Sequence, residues 1–121
     1  MRTLSHTDRE KILAIREQVF QRGQSRSDEE IVRAVSESLH DHAGRTGFEF
    51  CFTRYALELA YFMLYAEGRT VRDIARAALL YYLEQDDFFS DLSDAFGLED
   101  DYYVLSIAIL EIETRTGELS S

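Results

Sequence analysis

The sequence predicts an all-α fold, a single compact bundle of five to six helices. Three observations carry that expectation. Proline, the strongest helix breaker, is absent from all 121 residues. Apolar residues recur at three- and four-residue spacings along most of the chain. No segment shows the strict alternation that would supply a strand with a partner. At this length, with 45% apolar residues, one domain spanning 1–121 can bury a core, and global disorder is excluded.

The elements follow in order. Thr7-Asp8-Arg9-Glu10 has capping-box spacing, and Ile12, Ile15 and Val19, with Leu13 and Phe20, fall on one helical side. This first helix is expected to reach Arg22 and stop at Gly23. Ser27-Asp28-Glu29-Glu30 is a second capping box, leading to Ile31, Val35 and Leu39 and an end near Gly44. Phe48 to Ala66 is the most hydrophobic segment. Glu49, Arg54 and Glu58 interrupt it, which argues against a membrane span. It is expected to be the central helix, with its excess apolar surface available for a homodimer contact. Gly68 ends it. Thr70-Val71-Arg72-Asp73 opens a helix over 70–84, with Val71, Ile74, Ala75, Ala78 and Tyr82 on one face. A short helix is expected from Ser90, closed by Gly97. Tyr102 to Ile112 has the β-branched and aromatic content of a strand. Its length and the lack of a partner strand favour a helix over 101–114, ended by Gly117 and the serine tail.

Charge is distributed unevenly. Residues 1–80 hold twelve basic and twelve acidic side chains, whereas residues 81–121 hold eleven acidic ones and a single cation, Arg115. The whole net charge of −10 therefore lies in the last third, mostly between Glu84 and Asp101. Anions this crowded stay solvated, bind a cation or meet a basic partner. The overall charge opposes direct contact with nucleic acid or an anionic membrane. The lone cysteine, Cys51, cannot close an internal disulfide and reads as a small buried hydrophobe. The polar N-terminus has no apolar leader segment. A cytoplasmic location is expected.

One local pattern stands out. Leu79-Leu80-Tyr81-Tyr82-Leu83 is followed by Asp87, Asp91, Gly97 and Asp100-Asp101, then by Val104-Leu105 and an apolar helix. This arrangement over residues 79–110 resembles the DUF1232 (YkvA-like) family of small bacterial helical proteins. There an apolar helix ending in Leu-Tyr leads into a turn with two aspartates and three prolines, then a glycine, and paired aspartates open a second apolar helix. The turn prolines correspond here to Gln85, Ser90 and Asp94, so the turn is expected to be more helical than the family's. The resemblance implies a helix–turn–helix element and no particular reaction.

The acidic residues admit three readings. Asp100, Asp87 or Ser90 can cap helices, each contributing about 0.5–2 kcal/mol, and an aspartate can pair with Arg72 or Arg76. Asp87, Asp91, Asp100 and Asp101 can instead ligate Ca²⁺ or Mg²⁺, since hard oxygen donors suit those ions. No EF-hand loop pattern is present. Lastly, Asp87, Phe88, Asp91, Asp94, Asp100, Asp101 and Tyr102 can form an acidic-aromatic surface for a protein partner with a basic face.

Other signals are weaker. His40-Asp41-His42 places two imidazoles on nearly opposite sides of a helix, unsuited to one metal. Arg69, Arg72 and Arg76 give the fourth helix a basic face that faintly suggests a helix-turn-helix reader of DNA. The acidic stretch after it would repel phosphates, and the arginines are better placed to face that stretch. No phosphate loop, nucleophile elbow or zinc-protease motif occurs.

The expectation is thus a non-enzymatic, cytoplasmic bacterial interaction or regulatory protein that needs no cofactor. It would contact a basic partner through residues 84–103. The alternative is a divalent-metal module, hydrolytic or not, using Asp87, Asp91, Asp100 and Asp101.

Overall fold

The computed structural model describes residues 5–42, 50–83 and 99–120, and for 41–42, 50–52, 99–101 and 116–120 the backbone alone. Among them the chain forms five α-helices: α1 (His6–Arg22), α2 (Asp28–His42), α3 (Phe50–Tyr65), α4 (Arg69–Leu83) and α5 (Glu99–Ser120). A short 3-10 turn, Gly23–Ser25, joins α1 to α2. There is no strand among the described residues, and the molecule is an all-α bundle. The short helix expected between Ser90 and Gly97 lies outside the described residues.

α1 begins two residues earlier than its sequence signal suggested. The capping box is formed by Ser5 and Asp8: the Asp8 amide donates to Ser5 Oγ at 3.1 Å, and the Ser5 amide donates to Asp8 Oδ2 at 3.2 Å. Ser5…Asp8 and Thr7…Glu10 share the same spacing, and the upstream pair wins because it adds backbone hydrogen bonds to the helix. The second box behaves as expected on its serine side, with the Glu30 amide donating to Ser27 Oγ at 3.1 Å. Ile31, Val35 and Leu39 then enter the core.

Tyr102–Ile112 is helical throughout. Val104, Leu105, Ala108, Ile109 and Ile112 are buried, which is the period of a helix and not of a strand. α5 also runs through Gly117 to Ser120, beyond the expected stop. A glycine costs a helix roughly 1 kcal/mol, too little to end one without a proline or a competing cap.

The core is centred on α4, not on the most hydrophobic helix. α4 packs against each of the other four helices. Seven of its residues are buried: Ala75, Ala77, Ala78, Leu79, Leu80, Tyr81 and Tyr82. Its alanines admit neighbouring helices closely on several sides. The expectation that 48–66 would be the central helix is therefore corrected. α3 buries Ala56, Leu59, Ala60 and Met63 but leaves Leu57, Tyr61, Leu64 and Tyr65 in solvent.

Gly23 explains how α4 comes so near the α1–α2 connection. Its backbone is ordinary (φ −90°, ψ 10°), so no left-handed conformation demands a glycine. The demand is spatial: a Cβ there would stand 2.7 Å from Leu80 Cδ1. One turn earlier on α4, Arg76 uses the same close approach. Its guanidinium donates to Asp28 Oδ1 at 2.6 Å, to the Gly23 carbonyl at 3.0 Å and to the Arg26 carbonyl. That side chain is only 12% exposed.

Candidate interaction surface

The acidic segment enters the described part of the molecule at α5. Asp100 and Asp101 stand in the first turn of that helix, where the dipole favours carboxylates. Asp87, Phe88, Asp91 and Asp94 lie outside the described residues. Tyr102, the last member of the expected surface, is exposed. Its ring sits 6.0 Å from that of Tyr55 on α3, tilted by 50°. The end of the acidic segment thus meets α3 through an aromatic pair within contact range.

Next along α5, Tyr103 is half-buried and lies under the Arg9 guanidinium, 5.8 Å from its ring centroid. This cation–π contact brings α1 to the same corner. Below it, α3 and α5 flank a shallow cleft of about 480 Å³ lined by Arg54, Tyr55, Glu58, Tyr103, Ser106, Ile107, Ile109, Leu110 and Glu113. Arg54 Nε donates to Glu58 Oε1 at 3.1 Å, so the cation at its edge is already paired. Leu110 is exposed on the α5 side. The cleft mixes carboxylates with apolar walls, and its geometry offers no nucleophile held by a base.

The basic side chains of the fourth helix divide in two ways. Arg69 is exposed and lies 3.8 Å from Asp73. Arg76, expected to face the acidic stretch with Arg69 and Arg72, turns inward to Asp28 and the loop carbonyls. A further ion pair, Arg16 to Glu111 at 3.2 Å, joins α1 to α5. Several cations of the neutral two-thirds therefore have carboxylate partners away from the acidic segment. His40 is exposed on α2. Among the described residues no three His, Cys, Asp or Glu side chains come together as a metal would need. No described helix is long and apolar enough to cross a membrane.

No protein-family model, curated protein or solved structure matches the chain. The surface must be read from its own chemistry.

The excess apolar surface expected on this helix, whose side the sequence left open, is the outer face of α3. Leu57 is 54% exposed, Tyr61 62%, Leu64 39% and Tyr65 68%. Tyr61 and Tyr65 stand one turn apart with ring centroids 5.2 Å from each other. A helix apolar on nearly every side reads as central. The signal pointing the other way is the spacing of Arg54, Leu57, Tyr61 and Leu64, a three-four-three stripe opened by a charge.

Proposed function

We propose that this is a non-enzymatic interaction protein whose contact region is the acidic-aromatic segment 84–103, closed at its C-terminal end by Tyr102. The partner is a protein with a basic surface. The observation that carries this reading is the segregation of charge: residues 81–121 supply the entire net −10 with one cation among them. Arg16, Arg54, Arg69 and Arg76 are engaged by Glu111, Glu58, Asp73 and Asp28, which leaves those cations committed elsewhere. A run of anions this dense along the sequence raises the rate of encounter with a cationic protein and disfavours nucleic acid. Tyr102 adds an exposed aromatic of the kind enriched at binding hot spots. The likeness of residues 79–110 to the DUF1232 pattern supports placing the function on this element.

The test replaces Asp87, Asp91, Asp100 and Asp101 together by Asn. Immobilised wild-type protein should retain a basic partner from cell extract at low salt and release it as salt rises. The Asn variant should retain none while its helical circular dichroism is unchanged. Equal retention by both proteins overturns the reading. Calorimetric titration with Ca²⁺ and Mg²⁺ separates it from the metal alternative: heat with the wild type and none with the Asn variant would favour a cation site.

A further inference from the structure

We draw no further inference here: the strongest candidate, the exposed apolar face of α3 formed by Leu57, Tyr61, Leu64 and Tyr65, carries none because nothing in the structure shows what covers it.

Discussion

Arg76 reaches from α4 to Asp28 at 2.6 Å and fastens the start of α2 to the centre of the bundle. The same guanidinium donates to the carbonyls of Gly23 and Arg26, the first of which also accepts from the Arg26 amide at 3.1 Å. Planar, multidentate recognition of this sort is what arginine does and lysine does not.

Arg76→Ala is accordingly expected to cost about 2–3 kcal/mol, through the lost pair with Asp28 and the donor removed from the Arg26 carbonyl. Arg76→Lys should fall between the variant and wild type, because one ammonium cannot span all three acceptors. Urea denaturation at constant slope measures both. A midpoint for Arg76→Ala equal to the wild type's would show the network to be energetically idle.

Gly23 and Leu80 are predicted to be coupled. Gly23→Ala should destabilise by about 1–3 kcal/mol, since the new methyl overpacks a leucine that is itself fully buried. Leu80→Ala alone should cost about 2–5 kcal/mol through its cavity. The double variant should be more stable than the two losses added together by at least about 0.5 kcal/mol, because the methyl then enters the vacated space. Gly68→Ala is the control: nothing stands within 4 Å of its Cβ position, and its effect should stay within about 0.5 kcal/mol. Simple additivity at 23 and 80 would contradict the close approach.

The start of α1 gives a local prediction. Ser5→Ala removes the cap and should cost about 0.5–2 kcal/mol, whereas Thr7→Ala, inside the helix, should cost less than half as much. Amide hydrogen exchange over residues 6–10 reads the difference directly. Faster exchange in the Thr7 variant than in the Ser5 variant would restore the later start.

Ser38 Oγ donates to Tyr82 Oη at 3.2 Å, linking α2 to the buried side of α4. Tyr82→Phe and Ser38→Ala should each lose about 0.5–1.5 kcal/mol. Combined, they should lose less than the sum, since the second change removes a bond already broken. Thermal unfolding of the four proteins closes the cycle, and strict additivity would rule the pair out as an energetic unit.

Much of the fold is legible in the residue pattern. The helical spacing of Ile31, Val35 and Leu39, and the serine ahead of them, placed the start of α2 to the residue, while its expected end near Gly44 lies outside the described residues. The centre of the bundle was harder to read. α3 has the larger apolar side chains, and bulk reads as burial. α4 has Ala75, Ala77 and Ala78, whose worth lies in how near they let other helices come, a property of pairs that no single segment displays. Gly23 shows the same limit: the sequence marks a helix end there, while the reason for a glycine is Leu80, dozens of positions away. Of the expected surface, charge segregation was plain from the first, and Tyr102 stands exposed beside Tyr55. Asp87, Phe88, Asp91 and Asp94 lie outside the described residues. The outer face of α3 was hidden by its own hydrophobicity, because apolarity alone does not say which side of a helix meets the core.

The position of α4 in the chain bears on how the protein is made. A ribosome delivers α1, α2 and α3 before the element on which all of them pack. Until Arg69–Leu83 has cleared the exit tunnel, the sides of the earlier helices that pack on it stay uncovered. Synthesis of this chain thus passes through an interval of unsheltered hydrophobic surface, ended only when its fourth helix arrives.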